Sequence, residues 1–297
     1  MIARKYTYLI ALAKERHFGR AATACNISPS TLSAAIRDLE SELGVAVVER
    51  GKQFTSLTAE GLCVVRYAQR MAAEATELKQ ELARSRDGLS GRLRLGVIPT
   101  ALTVVASLSA SFSRSHPLVT VEVLSLSTGR ILSRLRSFEL EAGIVYTESA
   151  DHPDLAVIPL WNENHVLITS AATLFEGQSR VTWREAAETP LALLTPDMQN
   201  RKTIDRVFAG LECRPLVTLE TNSIVSILAH VCSGNWSSIV PRSVLDLIGV
   251  PEGMRLLDPA VSWSTGLVTL AREPLPPMVQ ALNAEANSLV SLFGDTP

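Results

Sequence analysis

One segment constrains the fold more than any other: ISPSTLSAAIRDLESELG, residues 27–44. Ser28 stands at a helix N-cap position and Pro29 at the first helical residue. The serine hydroxyl can accept an orphan backbone N–H, and proline has none to satisfy. Leu32, Ile36, Leu39 and Leu43 then step by 4, 3 and 4, which lays one apolar stripe along a helix. Gly44 ends it, as a C-terminal glycine does. Upstream, Tyr8, Leu9, Leu12 and Ala13 recur at helical spacing, a break falls at His17 and Phe18, and GRAATACN reads as a short helix of closely packing alanines. Asn26 and Ile27 form a tight connection. Two helices joined by a short turn, the second apolar on its inner side, follow the helix-turn-helix plan.

The outer side of that second helix carries Ser30, Thr31, Ser33, Ala34 and Arg37. Small hydroxyls and a guanidinium near a helix N-terminus suit a major groove, because hydroxyls and free N–H groups bind phosphate and Ser or Thr reaches base edges. VAVVERGKQFTSLT follows: a short β-prone run, a turn at Gly51 and a second extended stretch. It reads as a wing, with Arg50 and Lys52 near its tip for phosphates. The plain alternative is a three-helix cap with a hairpin.

These residues resemble the DNA-binding signature of LysR-type transcriptional regulators. Ala21, Ala22, Ser28, Leu32, Ser33, Ile36, Leu39, Glu40, Leu43, Gly44, Glu49, Arg50, Leu57, Thr58 and Gly61 match its pattern in fixed register. The resemblance implies a dimeric winged helix-turn-helix on double-stranded promoter DNA, with Pro29, Ser30 and Ser33 near bases and Arg50 near the backbone. Two recognition helices would then lie about 34 Å apart in successive major grooves. The sequence departs from the family at Pro29 and Ser30, where Gln then Pro is frequent, and at Ala34, where Arg is frequent.

Thr58 can N-cap a long helix, with Glu60 in its first turn favoured by the helix dipole. Leu62, Val65, Ala68, Ala72, Ala75, Leu78 and Leu82 form its stripe, and a span of about 45 Å follows from 1.5 Å per residue. Such a helix should pack on a second copy of itself, or else dock on its own chain. GLSG at 88–91 supplies a hinge.

Beyond it, strand and helix patterns alternate. RLRLGVIP, VTVEVLSLS and EAGIVY read as strands separated by ALTVVASLSASFSRSHP and TGRILSRLRSF as helices, and Thr100 opens the first of these helices. After the extended stretch LAVIPLWNENHVLITS the pattern restarts, crosses back through WSTGLVTLAR and ends in a helix at 276–293. Alternation of this kind implies doubly wound α/β architecture. The expected chain is an α+β multidomain one: a winged helix-turn-helix domain at 1–58, a linker and dimerisation helix with hinge at 59–90, and a two-subdomain effector-binding domain at 91–297. Subdomain I takes 91–162 and 268–297, and subdomain II takes 163–267. The arrangement resembles the family's effector-binding half, akin to periplasmic binding proteins, and the resemblance implies a tetramer of two dimers.

In open α/β sheets ligands bind where strands end and helices begin. Those points are Pro99 and Thr100, Ser127 and Thr128, Thr195, Pro196 and Met198, and Asn222 and Ser223. Thr100 and Thr128 would place hydroxyls at helix N-termini, where free N–H groups and the dipole favour an anion. A small carboxylate held by Thr100, Thr128 and Asn222 is the expected effector, the alternative being that these hydroxyls only cap helices. Similar-looking chains accompany formate dehydrogenase operons, so formate or another one-carbon acid is the effector that the resemblance suggests. The stretch with Asp197, Gln199, Asn200 and Arg201 either walls the cleft or caps the next helix.

Composition excludes other classes. Residues 1–90 carry net +3 and the rest −5, a basic head on an acidic body. No apolar run reaches the roughly 18 residues of a membrane span, and the N-terminus lacks the shape of a signal peptide, so a cytoplasmic protein is expected. There is no GxSxG or HExxH, and Gly44 to Lys52 does not meet the P-loop spacing. His17, His116, His152, His165 and His230 have no metal-ligand spacing and read as surface or capping residues. Neither catalytic residues, metal nor cofactor are expected, and a solute-binding protein or an α/β enzyme are the rivals. Peroxide-sensing members of the family use a cysteine pair in the second subdomain. Here only Cys213 and Cys232 fall there, so an oxidant sensor is not the expected reading.

Overall fold

The structure, a computed structural model, describes residues 4–50, 54–170, 174–245 and 254–293. The chain forms two compact units, Met1–Gly88 and Leu89–Pro297.

In the first unit, α1 (Arg4–Glu15), α2 (Phe18–Ala24) and α3 (Pro29–Leu43) precede the antiparallel pair β1 (Val48–Arg50) and β2 (Phe54–Leu57), and α4 (Ala59–Asp87) follows. Phe18 opens α2, and the break falls one residue earlier than its sequence suggests, with the His17 ring accepting the Arg20 N–H as N-cap. Ser28 caps α3 by accepting from Thr31 N, and Gly44 ends it at φ 67°. Leu32, Ile36 and Leu39 join Leu9, Leu12, Ala21 and Ala22 in the core, whereas Leu43 is 39% exposed and lies off it. The wing is tied to the helices by hydrogen bonds between side chains and its backbone. Glu40 Oε1 accepts from Val47 N at 2.9 Å and Val48 N at 3.2 Å, and Thr58 Oγ1 donates to Ala46 O at 2.7 Å while capping α4. The turn at Gly51, and Lys52 with it, lie outside the described residues.

The 29 residues of α4 begin in this core through Val65 and Ala68. Farther along, Leu78 and Leu82 are 62% and 64% exposed.

The second unit is one ten-stranded arrangement built in two halves. The first contains β3 (Gly91–Val97), a 3₁₀ turn at Pro99–Ala101, α5 (Leu102–Ser115), β4 (Val119–Ser125), α6 (Thr128–Arg136) and β5 (Ala142–Tyr146). β6 (Leu155–Thr169) then runs for 15 residues into the second half. There follow β7 (Arg180–Thr182), α7 (Trp183–Ala187), β8 (Leu191–Leu194), α8 (Gln199–Gly210), β9 (Val217–Thr221), α9 (Ile224–Cys232), β10 (Ser237–Pro241) and β11 (Met254–Asp258). β12 (Ser262–Leu270) crosses back and α10 (Pro277–Phe293) closes the first half. The order is β4-β3-β5-β12-β6-β10-β8-β9, and β11, not evident from sequence, pairs with β6 and β7. β3, β4 and β5 are parallel, as are β10, β8 and β9, while β6 and β12 run antiparallel to each other and to their outer neighbours. Parallel strands joined by helices put their C-terminal ends on one side of each half, which is where a cleft forms. The fold is the winged helix-turn-helix plus two-part α/β architecture that the sequence implies.

Candidate functional site

The head offers a compact polar surface. Ser28, Pro29, Ser30, Thr31 and Arg37 are exposed, and Ser33 and Ala34 are half-buried. Ser28 Oγ lies 2.8 Å from both Ser30 Oγ and Thr31 Oγ1, and Arg37 Nη1 donates to Ser33 Oγ at 3.2 Å. These residues cluster over the first two turns of α3 because Ser28 and Pro29 start the helix there. Arg50 ends β1.

In the α/β unit an open cleft of about 870 Å³ runs between the halves. Of the residues expected at the strand ends, Pro99, Ser127, Thr195, Met198, Asn222 and Ser223 line it, joined by Arg130, Asp197 and Glu220. Thr100, Thr128 and Pro196 do not line it. Thr100 does not open α5: it sits in the 3₁₀ turn, 1% exposed, with Oγ1 3.3 Å from the Tyr146 hydroxyl, because Pro99 draws the chain into a tight turn before the helix begins at Leu102. Thr128 is the first residue of α6, but its buried Oγ1 has no partner and Ser127 makes no side-chain cap, so neither threonine is an ordinary N-cap. Ser223 does cap α9, accepting from Ser226 N at 3.3 Å.

The polar stretch 197–201 divides its duties. Asp197 and Met198 face the cleft. Arg201 holds the second half together, donating to Leu194 O, Asp205 and Glu220 at 2.7–3.0 Å. Asn200 turns inward, and no side chain of the stretch caps α8.

Asn200 leads to a cluster that the sequence reading missed. Alternation along β6 exposes Asn162 and Asn164 and turns Trp161, Glu163 and His165 to the other side. Tyr146 donates to Glu163 Oε2 at 2.7 Å and is met by Asn200 Nδ2 at 3.4 Å and by Thr100. Asn200 Nδ2 also lies 2.8 Å from His165 Nε2, an acceptor in the neutral ring. His165 is 3% exposed and stacks edge-on against Trp263, so it is neither a surface nor a capping residue. Burial pushes Glu163 up to about 7, His165 down to about 3, and the Tyr146 phenol well above its ordinary range. The signal available in sequence was Glu and His two apart in an otherwise strand-like run.

Among the described residues no group of His, Cys, Asp and Glu is placed to hold a metal, and no helix is long and apolar enough to cross a membrane. Cys213, half-buried, and Cys232, exposed, are free thiols.

A winged head and a cleft-bearing α/β unit on one chain define a class: regulators that join a sensor to a DNA-binding domain. Residues 3–62 match the model described as bacterial regulatory helix-turn-helix protein, lysR family, and residues 86–288 match the LysR substrate binding domain. The chain belongs to the LysR family of DNA-binding transcriptional regulators. It is 33% identical over 238 residues to a probable hydrogen peroxide-inducible genes activator of Mycobacterium avium, covering 80% of this chain and 76% of that protein. It is 32% identical over 168 residues to the DNA-binding transcriptional dual regulator OxyR of Escherichia coli, 56% of this chain and 55% of that one. A full-length OxyR variant from Pseudomonas aeruginosa superposes with a TM-score of 0.75 at 26% identity, covering 97% of this chain and 94% of that one. Full-length CbnR complexed with its target DNA has the same fold, with a TM-score of 0.67 at 20% identity over 97% of this chain and all of that one.

Proposed function

We propose that this regulator binds promoter DNA through the first turns of α3 and the wing, as a dimer or tetramer joined along α4, and responds to a small organic acid in the cleft between the halves of its α/β unit. Ser28, Pro29, Ser30, Thr31, Ser33, Ala34 and Arg37 face the groove in this reading, and Arg50 and Lys52 serve the phosphates. We take 59–90 as the linker and 163–267 as the second subdomain. Such a protein works in the cytoplasm beside its promoter.

The observation that carries the effector class is the α6 end of the cleft. The helix starts at the cleft wall without a side-chain cap, and Arg130, exposed one turn in, has no ion pair among the described residues. Free N–H groups and a guanidinium favour an anion. Asp197 and Glu220 on the opposite wall favour a small acid over a polyanion, and Glu220 is already held by Arg201. Calorimetry of the wild type with small carboxylates of increasing size, formate first, tests this. Arg130→Ala and Ser127→Ala, both on the cleft wall, should weaken the binding acid while leaving DNA affinity intact; unchanged acid affinity in both variants counts against the site.

The relatives' names favour a second reading, response to hydrogen peroxide. Among the described residues of the second half the thiols able to carry it are Cys213, whose Sγ faces Phe208 O at 3.7 Å, and Cys232 at the end of α9. If peroxide changes the DNA footprint of the wild type but not of Cys213→Ser or Cys232→Ser, that reading replaces the first.

A further inference from the structure

The buried cluster around Glu163 joins pieces that otherwise belong to different halves. Tyr146 comes from β5, Thr100 from the turn after β3, Asn200 from the first turn of α8, and Glu163 and His165 from the strand that passes between them. Each is at most 5% exposed. Register places Trp263 opposite Glu163 and Thr265 opposite Trp161, so β12 roofs the cluster from the neighbouring strand.

The hydrogen bonding is one-sided. Tyr146 has a single proton and gives it to Glu163 Oε2, so Thr100 and Asn200 donate to its oxygen. Glu163 Oε1 has no partner, nor has His165 Nδ1 or Thr265 Oγ1. An ionised carboxylate presents about four acceptor sites, and here Tyr146 is the one donor within close hydrogen-bond distance, with the Trp161 indole beside it. A buried charge so poorly served is costly unless water reaches it.

We propose that the Tyr146–Glu163 pair is a proton-gated latch between the halves of the α/β unit. With the proton on Glu163, the chain from Thr100 through Tyr146 to Asn200 stays closed; once it is lost, water enters between the crossing strands and the halves part. The groups facing Glu163 are Tyr146 from β5, Thr100 from the 3₁₀ turn, Asn200 from α8, Trp263 and Thr265 from β12, and Trp161 and His165 on its own strand. Only Tyr146 and His165 of these titrate, and both are neutral near pH 7. The nearest cation in sequence to Asn200 is Arg201, which is committed to Leu194 O, Asp205 and Glu220. Burial is the largest cause of the Glu163 shift, and the value of about 7 puts the latch within the range a cell samples. Pro99 precedes Thr100 and Met198 lies two residues before Asn200, so the cleft wall and the latch share backbone. The latch goes beyond the reading of the cleft and holds whatever ligand the cleft takes.

The test is hydrogen–deuterium exchange of the full-length protein at pH 6 and pH 8, normalised for intrinsic exchange and followed at residues 163–166 and 262–265. A pH titration of tryptophan fluorescence accompanies it. Wild-type protection should fall at least tenfold between the two pH values, with a fluorescence midpoint near 7. Glu163→Gln should stay protected at both. Tyr146→Phe removes the hydroxyl that donates to the carboxylate at 2.7 Å and should move the midpoint to higher pH. A flat wild-type profile, wild-type pH dependence in Glu163→Gln, or exchange of that variant at both pH values would overturn the latch. If Glu163→Gln does not fold, the Tyr146→Phe midpoint decides alone: a shift upward supports the latch, and no shift refutes it.

Discussion

At the scale of single residues, Glu163 and His165 oppose each other in the protein's response to pH. Glu163 has a folded value of about 7 against 4.5 when exposed, so the native state holds a proton that the unfolded chain has lost. Its contribution to stability is therefore fully favourable below 4.5 and is lost as pH rises toward 7. His165, about 3 when folded and 6.5 when exposed, does the reverse: stability is lost as pH falls from 6.5 toward 3. Between 4.5 and 6.5 the two slopes cancel. Glu163→Gln should break the balance, and its stability relative to wild type should climb by about 1.4 kcal/mol per pH unit, to about 3 kcal/mol near pH 7. Urea denaturation of both proteins at pH 5 and pH 7.5 reads this difference, and a constant offset would refute it. The sequence shows Glu and His two apart on a strand, and nothing of their partners. The partners come from positions 100, 146, 163, 165 and 200, and no local pattern announces a contact across such separations.

Helices and strands were legible where their signals are local. Ser28 with Pro29, Thr58 and Gly44 mark element ends by backbone chemistry that acts within one turn, and the structure uses each as such. Thr100 misleads for the same reason, since a hydroxyl after a strand looks like a cap whether or not a 3₁₀ turn intervenes. Gly61 belongs to the legible group but for a reason visible only in three dimensions: a Cβ there would collide with the Val47 carbonyl oxygen. That carbonyl accepts from Thr58 N at 3.2 Å, so it is not free to retreat. Gly61→Ala should cost about 1–3 kcal/mol as the wing is pushed off α4. The melting of the head in calorimetry should shift downward, and DNA affinity with it, while ligand binding in the cleft stays unchanged.

At the scale of the whole molecule, α4 makes the strongest demand. Leu62, Leu78 and Leu82 are each more than half exposed in a single chain, and Tyr67 beside them is 63% exposed. In the proposed dimer a second copy covers Leu78 and Leu82, and Leu78→Asp with Leu82→Asp should convert the protein to monomers in sedimentation velocity while each unit keeps its circular dichroism. Halving the number of recognition helices should also flatten the salt dependence of DNA binding. A wild-type dimer touching six or more phosphates would lose about a thousandfold in affinity between 50 and 200 mM salt, and the monomer much less. A slope equal in both would mean that α4 does not set the number of heads on DNA. The start of the α/β part near residue 90 was readable from sequence because the hydrophobic period changes there from one long helix to alternating strands and helices. β11 was not, since it pairs with β6 and β7, strands distant from it in sequence.

The 15-residue run of β6 carries a further implication for chains related to this one. Because residues 161–165 of it alternate between the inner and outer sides, that segment obeys a rule of parity. Adding or removing one residue there would turn the acid and the imidazole out to solvent and drive two asparagines into the interior, whereas a change of two would leave the wiring intact. Among natural relatives that keep the glutamate, then, differences in length across this stretch should come in even numbers.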